Sequence, residues 1–342
     1  MNTGTLRTGK LPPDLLRELL AKIPSNDPRV LLGGRVGEDA AAIDMGDRVL
    51  VAKTDPITFT TELIGWYAVQ VNANDIACMG ARPRWFLATV LLPEGAEPGL
   101  AKSIFSQILE TCTALDVSLI GGHTEVTHKL QRPLVVGFML GETSRERLVR
   151  TSDARPGDAI VLTKAIAIEG TAILGNIAAS HLRPKISKAI LNKTERFLFE
   201  PGISVVTEAL AAQDLADIHA MHDPTEGGLA TGLHEIAEAA QVGIEVDWEA
   251  IPFLQECKDI CSQLELNPLG LLASGALIMT LPKNQVNSLM EGLSLRNIQA
   301  QVIGKVLARE KGVMLRTAGK VEPLPQFPRD ELARYLEQFD PA

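Results

Sequence analysis

The chain has 342 residues, more than one hydrophobic core usually supports, so two domains are expected. Hydrophobic residues make up 46% and charged residues 22%, which excludes a disordered or fibrous chain, and the 4% aromatic content leaves the cores to aliphatic side chains. A net charge of -9 with no long basic run excludes a general nucleic-acid surface and attachment to an anionic membrane.

Residues Met1 to Pro12 read as a polar arm, in which Lys10 is taken as a solvated lysine. No basic segment followed by an apolar one opens the chain, and no apolar run reaches membrane-spanning length, so a cytoplasmic location is expected. Behind Pro12-Pro13, Leu15, Leu16, Leu19, Leu20 and Ile23 recur at helical spacing and predict a short helix over Asp14 to Ile23. Gly37-Glu38-Asp39-Ala40-Ala41-Ala42 follows, the first of four segments that place carboxylates beside small residues and turns. Val49 to Lys53 predicts a buried strand that stops at the second such segment, Lys53-Thr54-Asp55-Pro56, because of the proline. The third, Asn72-Ala73-Asn74-Asp75, falls near the end of a helix predicted over Thr61 to Gly80, with Asn72 and Asp75 on one face and able to point at one ligand.

A strand over Trp85 to Leu92 and an amphipathic helix over Pro98 to Leu115 come next. The strand Val117 to Ile120 then runs into a turn, Gly121-Gly122-His123-Thr124-Glu125. Its glycines free the backbone to approach a ligand, and Thr124 and Glu125 add oxygens. His123 fits a packing or hydrogen-bonding role better than a catalytic one. After the strand Leu134 to Gly141, the charged stretch Ser144 to Asp158, broken by Pro156-Gly157, marks a boundary between an N-terminal domain over 1–150 and a C-terminal domain over 151–342.

In the second half, strands near Ala159 to Thr163, Asp217 to Met221, Val242 to Val246, Ala276 to Leu281 and Gln301 to Leu307 alternate with helical stretches. These helices are expected over Glu169 to Ala179, Pro184 to Asn192, Ile203 to Ala212, Glu256 to Leu264, Asn284 to Leu293 and Pro328 to Phe339, giving an α/β layer. The fourth carboxylate segment, His222-Asp223-Pro224-Thr225-Glu226-Gly227-Gly228, opens another helix. Asp223 and Thr225 can cap that helix or receive an anion at its N-terminus, and the two roles are compatible. Cys78, Cys112, Cys257 and Cys261 form no CxxC pair and read as buried thiols, although Cys257 and Cys261 sit one helical turn apart.

There is no P-loop, no dinucleotide-binding glycine pattern and no G-x-S-x-G elbow. Carboxylates beside glycines on loops suit a hard divalent cation and the phosphates it carries. Asp39, Asp55, Asp75 and Asp223 together exceed the needs of one Mg2+ and point to two or more ions bridging the polyphosphate of ATP, an arrangement suited to in-line phosphoryl transfer.

The segments Gly37-Glu38-Asp39-Ala40-Ala41, Lys53-Thr54-Asp55, Asn74-Asp75-Ile76-Ala77-Cys78-Met79-Gly80-Ala81-Arg82-Pro83, Gly121-Gly122-His123-Thr124-Glu125 and His222 to Ala230, in this order, resemble the aminoimidazole ribonucleotide (AIR) synthetase superfamily. Within it the chain is most similar to the group of the hydrogenase maturation factor HypE. The resemblance implies an N-terminal α/β domain whose sheet pairs with that of a second copy in a dimeric barrel, and a C-terminal α/β domain beside it. It implies ATP and Mg2+, with Asp39, Asp55, Asp75 and Asp223 as metal ligands and Asp55, Asp75 and Lys53 at the chemistry. Gly37, Glu38, Lys53, Thr54, Asn74, Gly121, Gly122, His123, Thr124, Glu125 and Thr225 would then surround the nucleotide. Two departures stand out from the group: the sequence ends Phe339-Asp340-Pro341-Ala342 rather than in a carbamoyl-carrying cysteine, and Glu226 stands where arginine is usual after Asp-Pro-Thr. Lys10 also lacks the cysteine that precedes such a lysine in selenophosphate synthetases. The expected protein is a cytoplasmic homodimer that moves the γ-phosphate of Mg-ATP to an oxygen of an amide, carbamoyl-type or other acceptor, small or protein-borne. A cyclo-ligase like AIR synthetase and a nucleotide-binding assembly protein with little turnover are the alternatives.

Overall fold

A computed structural model describes residues 10–24, 27–58 and 60–339, so most of the arm expected over Met1 to Pro12, and the closing Asp340 to Ala342, lie outside the described residues. The chain begins with helix α1 (Pro13–Leu20) and strands β1 (Val30–Leu32), β2 (Ala41–Asp44) and β3 (Val49–Ile57). Helix α2 (Ile64–Cys78), β4 (Arg82–Pro93), α3 (Pro98–Ala114), β5 (Ser118–Thr127) and β6 (Leu134–Thr143) complete the first half. Its six strands form one sheet in the order β1-β2-β3-β6-β4-β5, antiparallel except for β4 and β5, which α3 joins as a crossover.

Two local expectations are corrected here. β3 does not stop at Asp55-Pro56 but pairs with β6 through Ile57. Beyond Ala52 it has no second strand neighbour, because β2 pairs only with Val49 to Ala52, and proline is tolerated in such an edge-like stretch. Likewise Gly121-Gly122 is no turn: β5 runs straight through it beside β4, with a register shift at Phe86/Leu87. The glycines are required there because φ is 152° and 150°, and a Cβ on Gly122 would lie 2.0 Å from the Ala88 carbonyl oxygen.

Helix α2 is apolar or small on nearly every side, the pattern of a helix covered all round. One side packs on the sheet, where Gly137 of β6 lets it approach closely; a Cβ there would stand 2.9 Å from the Ala68 carbonyl oxygen. Its other side meets the second half of the chain, so Ile76, Cys78 and Met79 share one core with Val161, Val206, Ala209 and Met279.

The second half contains β7 (Ala159–Thr163), α4 (Ile168–Ile177), α5 (Ala179–Leu182), α6 (Lys188–Thr194), α7 (Val206–Leu215), β8 (Ala220–His222) and α8 (Gly228–Ala240). It continues with β9 (Gly243–Asp247), α9 (Gln255–Leu264), β10 (Ile278–Leu281), α10 (Val286–Ser294), β11 (Ala300–Leu307), β12 (Val313–Thr317), β13 (Lys320–Pro323) and α11 (Glu331–Phe339). The sheet order is β13-β12-β9-β11-β7-β10-β8, and only β9 and β12 run parallel, so the βα alternation folds into a mostly antiparallel sheet. β7 is buried throughout: Val161 faces the core shared with α2, and Ile160 and Leu162 face a second core under α8 and α9. The fold is mixed α/β, as expected. Among the described residues no helix is long and apolar enough to cross a membrane.

Candidate active site

The carboxylate segments meet where β3, α2 and the end of β8 converge. Lys53 and Asp55 are two residues apart on β3 and so project to one face. Asp75 comes from the last turn of α2, Asp223 directly follows β8, and Asp39 lies in the loop before β2. The Lys53 Nζ stands 3.3 Å from Asp55 Oδ2 and 3.3 Å from Asp75 Oδ2. Burial alone would lower the lysine, but Asp75 and Asp55 hold its ammonium well above the usual range.

Asp39 and Asp223 are 7% and 3% exposed. Burial and the neighbouring Asp39 push the Asp223 carboxyl up to about 7. Asp75 is driven well above the carboxylate range in the same way, burial leading and only Lys53 opposing among the charges around it. On the far side of Asp39, His222 Nδ1 lies 2.7 Å from Asp39 Oδ1 and its Nε2 lies 2.9 Å from Glu235 Oε2 on α8. With a carboxylate at each nitrogen both can donate only as the imidazolium; burial opposes that charge, and Asp39 and Glu235 raise the ring well above its usual range. Cys78 Sγ donates to Asp223 Oδ1 at 3.4 Å.

Two buried oxygens in this cluster, Asp39 Oδ2 and Asp75 Oδ2, accept no hydrogen bond. Asp75 Oδ2 still faces the Lys53 ammonium, whereas Asp39 Oδ2 faces no donor; buried carboxylate oxygens short of hydrogen bonds are costly, and such a set fits a hard divalent cation.

The other expected site residues are placed differently. Thr54 Oγ1 donates to the Gly137 carbonyl oxygen. Asn72 accepts from the Asp55 backbone N–H and donates to the Ala68 and Asp55 carbonyls, so its amide ties α2 to β3 rather than facing a ligand beside Asp75. The amide of Asn74 donates to the Ile203 carbonyl oxygen and accepts from Val205 N–H, joining the two halves. Glu38 accepts the backbone N–H groups of Thr151 and Ser152, and Gly37 supplies the positive-φ turn that precedes it. Thr225 stands before α8 and accepts from Lys10 Nζ at 3.3 Å.

Lys10 is therefore no free arm lysine: it also lies 3.4 Å from Glu226 and 3.9 Å from Glu235. Gly121, Gly122, His123, Thr124 and Glu125 do not join the cluster within one chain. Asp55, Gly137, Ala88 and Gly122 stand in one row across the sheet, so Gly122 is three strand spacings, about 14 Å, from Asp55. On that exposed edge Glu125 is held by Thr127 and His123 at 2.6 and 3.1 Å.

Sequence reading missed Cys78, His222 and Glu235. A signal existed for Cys78, three residues beyond Asp75 on the same helical face, and for His222, inside a quoted motif. Glu235, one of two acids on α8, carries none. A further buried acid, Glu169 at the start of α4, is 7% exposed, and burial pushes it up to about 7 against a hydrogen bond from Ser274.

The family described as AIR synthase related protein matches twice, its N-terminal domain over residues 37–143 and its C-terminal domain over residues 155–316. A Methanocaldococcus jannaschii protein named for hydrogenase expression/formation is 30% identical over 322 residues, covering 90% of this chain and 91% of its own. The carbamoyl dehydratase HypE of Rhodobacter capsulatus is 28% identical over 323 residues, covering 91% and 90%. Among solved structures, the hydrogenase maturation protein HypE in complex with ATP aligns with a TM-score of 0.67 at 25% identity, over 93% of this chain and 91% of that one.

Proposed function

We propose, from the premise that the chain belongs to the AIR synthase related family, that it transfers the γ-phosphoryl group of Mg-ATP to an oxygen of an amide- or carbamoyl-type acceptor. The chain is an ATP-dependent enzyme of that family; the acceptor and the metal are the parts proposed here. The observation that carries the reading is the pocket of Asp39, Asp55, Asp75 and Asp223 around a single lysine, with two buried carboxylate oxygens left without a hydrogen bond.

Such a pocket repels a polyphosphate unless cations come with it, so nucleotide binding is expected to depend steeply on Mg2+. The four aspartates would hold the ion, and bound Mg2+ would neutralise phosphate oxygens and polarise the group being transferred. Lys53, suspended between Asp55 and Asp75, offers a fixed positive charge to the γ-phosphoryl oxygens. Thr225, which precedes α8, offers its hydroxyl to a phosphate, while the N–H groups of Gly227 and Gly228 are already taken by Asp330 and the Thr225 carbonyl.

Gly121 to Glu125 enter this reading through a second copy. β5 is an open sheet edge carrying exposed Ile120 and Val126, which supports pairing with a partner's sheet; such pairing would cover both and would bring the strand toward another copy's aspartates. A homodimer with a nucleotide near the interface follows, with each chain divided near residue 150.

The test is calorimetric titration of Asp75→Asn with Mg-ATP. About 100-fold weaker binding is expected, measured beside the melting temperature, which reports any stability lost with the Lys53 ion pair. Wild-type affinity in that variant would take Asp75 out of the site. Release of ADP that rises on adding a carbamoyl- or amide-bearing compound identifies the acceptor class; slow hydrolysis indifferent to all of them favours a binding protein.

A further inference from the structure

We infer that Asp39, Cys78 and Asp223 form a buried, sulfur-containing cation subsite that takes a thiophilic divalent ion such as Co2+ or Zn2+ in preference to Mg2+. One ligand atom from each lies within 4.8 Å of the others, and all three residues are buried. The independent sign of an ion is Asp39 Oδ2, a buried oxygen with no hydrogen-bond partner on a side chain only 7% exposed.

The donor set selects the metal. Mg2+ takes oxygen ligands, whereas a thiol among carboxylates favours Zn2+ or Co2+. In a tetrahedral site with metal–ligand bonds of 2.0 to 2.3 Å, donors sit about 3.5 Å apart, so these three need to close by roughly 1 Å. Cys78 Sγ is already 3.4 Å from Asp223 Oδ1. On metal binding the sulfur–cation bond replaces the S–H bond, and the proton leaves to solvent.

The surroundings have the form of a metal's outer shell. Asp39 Oδ1 is gripped by His222, which is itself held by Glu235, so the carboxylate is fixed with its other oxygen free. The imidazolium also offsets the negative charge that two carboxylates and a thiolate leave around a divalent ion. Three protein ligands leave a fourth position for water or a phosphate oxygen. The subsite shares Asp39 and Asp223 with the proposed magnesium set, so it rests on that reading in one respect only: an ion held here competes with Mg-ATP for those two carboxylates.

The experiment uses the full chain without nucleotide, carrying Cys257→Ser and Cys261→Ser so that the other close thiol pair, 4.0 Å apart, is absent. Titration with Co2+ should give a thiolate-to-metal charge-transfer band that saturates at one equivalent, resists a 100-fold excess of Mg2+ and is accompanied by release of the Cys78 proton together with the fraction of a proton that Asp223 carries at the working pH. Adding Cys78→Ser or Cys78→Ala should abolish the band. A band that never forms, that survives both Cys78 variants, or that Mg2+ erases overturns the inference; should both variants fail to fold, the band in a parent that also carries Cys112→Ser, and so has Cys78 as its one thiol, decides the matter by its persistence or loss. A band in a protein that binds no Mg-ATP sinks the proposed function and leaves the subsite standing, and Mg-ATP binding without a band does the reverse.

Discussion

In the pocket, Asp39, Asp75 and Asp223 are each at most 7% exposed and crowd against Lys53, His222 and one another; on β5, every residue from Ile120 to Val126 is exposed and Glu125 touches only its strand neighbours. The same residue types, glycine with carboxylates and threonine, occur in both places. What separates them is dielectric surroundings. A charge in the pocket interacts strongly with its neighbours and shifts their proton affinities, while one on the open strand is screened until something covers it. The aspartates and Lys53 meet within one chain, whereas β5 is left as an open sheet edge.

That contrast can be broken or sharpened by substitution. The largest expected effect on stability is at a buried acid outside the pocket, Glu169. Below about pH 4.5 it is protonated folded or unfolded and contributes nothing; between there and about pH 7 the unfolded chain releases a proton that the folded chain keeps. Folding is therefore penalised increasingly as pH rises, by on the order of 3 kcal/mol once pH exceeds 7. Denaturant titrations should find Glu169→Gln more stable than wild type above pH 7 and nearly equal to it at pH 4; a constant offset would show that burial does not govern this charge.

Next comes Asn74→Ala, which strands the Ile203 carbonyl and the Val205 N–H in the seam and should cost about 2 kcal/mol in the same titrations. Val126→Lys on the open strand should leave monomer stability alone but weaken self-association about tenfold by sedimentation, as a charge placed on a strand edge does. Self-association unmoved by Val126→Lys would mean that β5 is not the contact. Smallest is Glu125→Gln, for which no measurable change in melting temperature is expected in dilute monomer, because the group is solvated.

Much of the fold was legible because long periodic segments speak for themselves: α2, α3, β4 and β6 fall within about three residues of their predicted ends. β1, β2, β12 and β13 went unread while the equally short β7 to β10 were read, because the former lie at the outer side of their sheets, where half-exposed positions leave no apolar run to detect. β5 was misread at Gly121-Gly122 since paired glycines signal a turn as well as a close approach between strands. In the site, Lys53 and the four aspartates were legible by type and by their small neighbours. Asn74 and Glu38 suit a nucleotide and a backbone clasp equally well, and only tertiary contact tells these apart. The link from His222 to Asp39 spans 183 positions and has no local trace.

The core that α2 shares with α7 and β10, clasped by Asn74 on one side and Glu38 on the other, bears on how nucleotide enters. With that seam sealed by apolar side chains, the two sheets cannot gape like a clamshell around a visitor. Parting them would expose that apolar seam to water, so the molecular envelope in solution should keep its dimensions when nucleotide is added.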